Sequence, residues 1–108
     1  MGKQAPAVLV YVTAANPAEA LSIGRSVVEE GLAACANILD GMRSIYRWKG
    51  RIEEASETVL ILKTAADRTA ALVSRIRELH SYDTPCVVIL SITEGNPDYL
   101  AWIETETR

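Results

Sequence analysis

Two long extended runs meet at Lys49-Gly50, and this junction restricts the available folds more than any other feature of the chain. On its N-terminal side "RSIYRWK" alternates Ser44, Tyr46 and Trp48 against Ile45, Arg47 and Lys49. Beyond it "IEEASETVLILKT" is polar in its first half and wholly apolar from Val59 to Leu62. A turn this short joins neighbouring antiparallel strands. At roughly 3.3 Å per residue the strand Arg51 to Thr64 is about 46 Å long, against about 34 Å for the diameter of a domain this size. The hairpin is therefore expected to overhang its own body by on the order of 10 Å.

The remaining segments fit around that hairpin. "APAVLVYVT" (Ala5 to Thr13) is an apolar strand halted by Asn16-Pro17. Asn16 then caps a helix, Pro17 takes its first position, and Glu19 reaches back as in a capping box. Leu21, Val27 and Val28 are expected to form its buried stripe, and Gly31 its left-handed end. "LAACANIL" is the second strand, bent at Asp40-Gly41 before it continues into the hairpin. A second helix runs from about Asp67 to Leu79 with Leu72, Val73, Ile76 and Leu79 on one face. Asp83-Thr84-Pro85 breaks the chain, "CVVILSI" is the last strand, and a second Asn-Pro pair starts a short helix at Pro97. The order β-α-β-β-α-β plus a helix predicts an α+β, ferredoxin-like fold: an antiparallel sheet with helices on one face.

Composition narrows the function. The 108 residues are 49% apolar and read as a single domain, 1–108, with no run long enough for a membrane helix. The N-terminus lacks the layout of a secretion signal, and Pro6 stands where a myristoylation motif requires Ser or Thr, so a cytoplasmic location is expected. Eleven basic against fourteen acidic residues leave a net charge of −3 without a basic stripe, which argues against nucleic acid as a partner. Cys35 and Cys86 form neither a CxxC unit nor a disulfide framework. No triad, paired-carboxylate site or cofactor fingerprint is present, so no enzyme activity is expected.

In the ferredoxin-like order the second and fourth strands are edges, and neither "LAACANIL" nor "CVVILSI" carries a charge. Bare edges of that kind pair with other chains. Two such edges on opposite sides join head to tail, and closure into a ring avoids a fibre. A small cyclic homo-oligomer is the expectation. Its interface is expected to draw on Ala34 and Ala36 of one edge, Val88 and Leu90 of the other, Tyr46 and Trp48 of the hairpin, and Tyr99 and Trp102 of the last helix.

Several residues are candidates for chemistry. Cys35 is either a soft thiolate ligand for Cu(I) or a small residue that lets two backbones approach, and its flanking alanines favour the second. Glu53 and Glu57 share a strand face, where they either hold a hard divalent cation weakly or form a solvated surface. Lys63 ends an apolar run that needs no charge, and is expected to pair with Glu57 or with an anion bound in a cleft. Asn37, as a buried amide that must find partners, and Tyr82 complete the candidate cleft.

"GLAACANI", "SIYRWKG", "LILKT", "HSYDTP" and "GNPDYLAW", in this order and at fitting spacing, closely resemble the CutA divalent-cation-tolerance family over nearly the whole chain. The resemblance implies a homotrimer of ferredoxin-like subunits, similar in build to the PII signalling proteins, associated with copper and other divalent metals. The copper ligands it implies are a Cys on the first strand and a His-His pair before the Tyr-x-Thr-Pro block. Here those places hold Val12 and Leu79-His80, so only His80 of the set remains, with Cys35 as a further candidate. Two readings follow: a homotrimeric binding or scaffold protein of metal tolerance, and a PII-like sensor with a small anion in an intersubunit cleft at Asn37 and Lys63.

Overall fold

The computed structural model describes residues 5–108, so Met1 to Gln4, and with them the first residues of the N-terminal targeting reading, lie outside the described residues. The elements are β1 (Ala7–Ala14), α1 (Pro17–Glu29), β2 (Cys35–Trp48), β3 (Arg51–Ala65), a 3-10 turn (Ala66–Arg68), α2 (Thr69–Leu79), β4 (Val87–Ser91) and α3 (Pro97–Thr105). The sheet is antiparallel with order β2-β3-β1-β4, so β2 and β4 are its edges. This is the expected α+β, ferredoxin-like arrangement.

Local chemistry accounts for the boundaries. Asn16 caps α1 by accepting from the Glu19 N–H at 2.8 Å, and Asn96 caps α3 by accepting from the Asp98 N–H at 3.1 Å. Gly31, at φ +73°, ends α1 with two bonds back into the last turn, Leu32 N–H to Val27 O and Gly31 N–H to Val28 O. Lys49 and Gly50 both have positive φ, which matches the right-handed strand twist and closes the hairpin in two residues.

β3 pairs with β1 only from Thr58 to Ala65, whereas Arg51 to Glu57 pair with β2 alone. The outer half of the hairpin therefore projects, and the molecule is 52 Å long but only 25 Å and 22 Å across. Between the pairs Leu39–Val59 and Met42–Glu57, β2 advances three residues while β3 advances two. The extra residue is a β-bulge at Asp40-Gly41, with Gly41 at φ +83°.

The core lies between one sheet face and α1 and α2: Val8, Val10, Val12, Leu60 and Leu62 meet Ala20, Ile23, Val27, Leu72 and Ile76. Two expectations need correction here. Leu21 and Val28 are exposed, and the buried face of α1 is instead Ala20, Ile23, Gly24 and Val27. The reason is close approach: Gly24 lies against Ala36 and Leu60, which fixes the face of α1 that meets the sheet and leaves Leu21 and Val28 on the other side. Ala34 is buried within the chain rather than presented to a partner, while Ala36 packs under this helix and stays partly exposed. A Cβ added at Gly24 would lie 3.0 Å from the Ala36 Cβ and 3.3 Å from Leu60 Cδ1.

Gly24→Val is therefore expected to destabilise the fold by about 1–3 kcal/mol through overpacking. A lowered midpoint in thermal or urea unfolding checks this, and an unchanged midpoint would contradict the close packing of α1 on β2.

Candidate functional site

On the sheet face turned away from α1 and α2, the register sets Cys35 opposite Lys63 and Asn37 opposite Ile61. α3 brings Tyr99 to the same place. Lys63 Nζ donates to Asn37 Oδ1 at 3.0 Å and to Tyr99 Oη at 3.2 Å, and lies 4.0 Å from Cys35 Sγ. The Cys35 thiol points to Asn37 Oδ1 at 3.5 Å. Tyr99 stacks on Trp102 with ring centroids 5.6 Å apart. Among the described residues Lys63 has no carboxylate partner.

A second network closes the opposite end of the sheet. Glu19 Oε1 accepts from the Ala15 N–H and Oε2 from the Ser81 N–H, at 2.9 and 2.8 Å, which ties the start of α1 to the loop after α2. Burial pushes this carboxyl up, but the bonds from Ala15 and Ser81 outweigh it, so its pKa is lowered overall. His80, whose side chain is fully buried, holds Thr13 O at 2.8 Å through Nε2 and accepts the Tyr82 N–H at Nδ1, 3.1 Å. Because a carbonyl only accepts, this pattern assigns the Nε2–H tautomer. Tyr82 Oη donates to Glu57 Oε2 at 2.9 Å, and burial followed by this bond pushes the phenol up to about 12.

The predicted residues thus separate into two places. Asn37 and Lys63 come together with Cys35, joined by Tyr99, which was expected first of all at an interface. Tyr82 does not join them; it sits with Glu57 at the other end, because the loop after α2 is pinned there by Glu19. Lys63 pairs with Asn37 and Tyr99 rather than with Glu57, whose Oε2 Tyr82 has claimed. Asn37 is exposed, not buried, and Cys35 is half-buried, because both point away from the helices. Ala36, not Cys35, makes the close backbone approach.

His80 is not a surface imidazole: its side chain is fully buried, and both ring nitrogens are engaged, one by Thr13 O and the other by the Tyr82 N–H. A metal ligand needs a free nitrogen lone pair, which this ring lacks. Among the described residues no three His, Cys, Asp or Glu side chains gather where they could hold one ion. The side chains in place do not fit a chelating copper site.

Sheet order, helix placement and overhanging hairpin define an α+β protein of ferredoxin-like build with a projecting arm. Residues 8–106 match the family model described as "CutA1 divalent ion tolerance protein". The chain is 41% identical over 99 residues to "Divalent-cation tolerance protein CutA" of Thermus thermophilus, covering 92% of this chain and 96% of that one. It is 40% identical over 106 residues to the chloroplastic protein CutA of Arabidopsis thaliana, covering 98% of this chain but 58% of the relative, so it spans little more than half of that protein. Among solved structures, CutA1 of Oryza sativa superposes with a TM-score of 0.94 at 38% identity, covering 97% of this chain and 96% of that chain. The chain belongs to the CutA1 divalent ion tolerance family, which is not a family of enzymes.

The two titrating groups give opposite pH dependences. Glu19, with a lowered folded pKa, contributes stability that is present above its ordinary value of 4.5 and is lost as pH falls through the folded value. Glu19→Gln should flatten the acid limb of a stability–pH curve; an unchanged limb would show that the latch is not formed. Tyr82, with a raised pKa, loses its contribution as pH rises from 10 towards about 12. Phenolate absorbance should show one tyrosine titrating last, and Tyr82→Phe should delete that step.

Proposed function

We propose that the chain is a single-domain subunit of a homotrimeric binding and scaffold protein in divalent-metal tolerance. The observation that carries the assembly is β4: an unpaired, uncharged edge on which Val88, Ile89 and Leu90 are 46–49% exposed. Such an edge alone in water aggregates, and pairing it with another copy removes the hazard. The projecting arm adds Ile45, Tyr46, Trp48 and Ile52, all exposed, and a two-stranded ribbon this long gains stability from a surface to lie on. Tyr99 and Trp102, also exposed, add an aromatic patch on α3 at the Lys63 end of the sheet.

The role in tolerance is supported by the names of the family and of the Thermus thermophilus relative. Within this reading copper is engaged weakly, through Glu53 with the remaining oxygen of Glu57, since His80 is fully used and the Lys63 ammonium stands beside the Cys35 sulfur. A reducing, cytoplasmic setting suits the two unpaired thiols, Cys35 and the exposed Cys86, which lie towards opposite edges of the sheet. Among the described residues no helix is long and apolar enough to cross a membrane.

A second reading, a sensor that takes a small anion at Lys63 and Asn37 with PII-like architecture, is favoured by one observation: an ammonium on the sheet face with neutral partners only.

Sedimentation should return the mass of a trimer for the unmodified chain, and Val88→Lys with Leu90→Lys should lower it to that of a monomer. A monomer without substitution would overturn the assembly. Copper titration of the metal-free protein is expected to give weak binding that His80→Ala leaves unchanged; tight binding lost in that variant would overturn the assignment of His80.

A further inference from the structure

We infer that the Cys35–Asn37–Lys63–Tyr99 cluster is a binding site for a monocarboxylate with a planar apolar body, and that it excludes divalent cations. The inference deepens the sensor reading and rests on it.

The hydrogen-bond inventory carries the sign of the ligand. Asn37 Oδ1 is already shared by the Lys63 ammonium and the Cys35 thiol, and Tyr99 Oη accepts from Lys63. Left over are donors, the Asn37 Nδ2 hydrogens and the Tyr99 hydroxyl hydrogen, while the third Lys63 proton makes only a long bond to the Cys35 sulfur at 4.0 Å. A metal ion needs free lone pairs and would here meet a fixed positive charge instead. A group that offers two acceptor oxygens and one negative charge matches the donors and the single ammonium.

The surroundings carry the rest. Lys63 is the one cation in these contacts, without an arginine fork, which suits a carboxylate better than a phosphate dianion. Lys63 is flanked across the register by Leu9 and Asn37 by Ile61, apolar residues on the same sheet face. Tyr99 and Trp102 present a stacked aromatic pair beside them. A flat apolar body finds both a ring to stack on and an apolar floor there.

The test titrates isotope-labelled full-length protein separately with sodium benzoate, inorganic phosphate and zinc chloride at matched ionic strength, following the Asn37 side-chain amide and Tyr99 ring signals by NMR. Benzoate is expected to move both signals with a dissociation constant of about 1 mM, the affinity open to so small a ligand. Lys63→Met should weaken it about tenfold, the scale of one charge-assisted bond. Tyr99→Phe, which deletes one hydroxyl and leaves the packing in place, should weaken it several-fold. Zinc should leave both signals still. Benzoate binding that both variants retain in full, or zinc moving the two signals, overturns the inference. Phosphate saturating the site while benzoate does nothing overturns the carboxylate assignment and leaves the sensor reading standing. Silence from both anions overturns the two together.

Discussion

Everything in this molecule follows from β3 being central for only half of its length. From Thr58 to Ala65 it has β1 on one side, and the helices cover one of its faces; from Arg51 to Glu57 it has β2 alone. The inner half contributes buried Leu60, Leu62 and Thr64, so its register is held firmly: a one-residue slip would turn these side chains out of the core. That same register sets Lys63 opposite Cys35 and one step from Asn37. The outer half has no such reward and depends on what lies beside it. One strand therefore specifies both the site and the arm.

The two ends of the sheet are chemically unlike. At the Glu19 end most strong acceptors are claimed: Glu19 by two backbone amides, one of the two Glu57 oxygens by Tyr82, Thr13 O by His80. Those contacts position the loop that leads into β4, and leave little free for a ligand. At the Lys63 end donors outnumber acceptors. A family known by its link to divalent cations is here represented by a chain whose best-organised polar cluster faces outward with positive charge.

Much of the fold was legible because its punctuation is local. Asn16-Pro17, Gly31, Lys49-Gly50 and Asn96-Pro97 each fix a boundary through their own backbone chemistry, and each stands where expected. Burial on α1 was not legible: Leu21 and Val28 fit an apolar stripe as well as Ile23 does, and only the close approach at Gly24 decides which of them face the sheet. The site was half legible. Lys63 stood out as a charge ending an apolar run, but its partners depend on strand register and on where α3 lies, so within the chain Tyr99 stands beside it and Tyr82 beside Glu57. His80 was the least legible, since its burial requires Glu19, Thr13 and Tyr82 to converge from three elements.

The bulge at Asp40-Gly41 has a consequence for how such an arm diversifies. Ahead of it, odd-numbered residues of β2 (Cys35, Asn37, Leu39) look away from the helices; behind it, even-numbered ones (Met42, Ser44, Tyr46, Trp48) do. Deleting one residue there would leave Met42 opposite Glu57 and return the strand to plain alternation, with Tyr46 and Trp48 still on that side and only the local kink lost. The kink thus takes up one residue of length without changing which side chains the protrusion shows, so a single-residue length change at Asp40-Gly41 leaves both the arm's faces and the interior as they are.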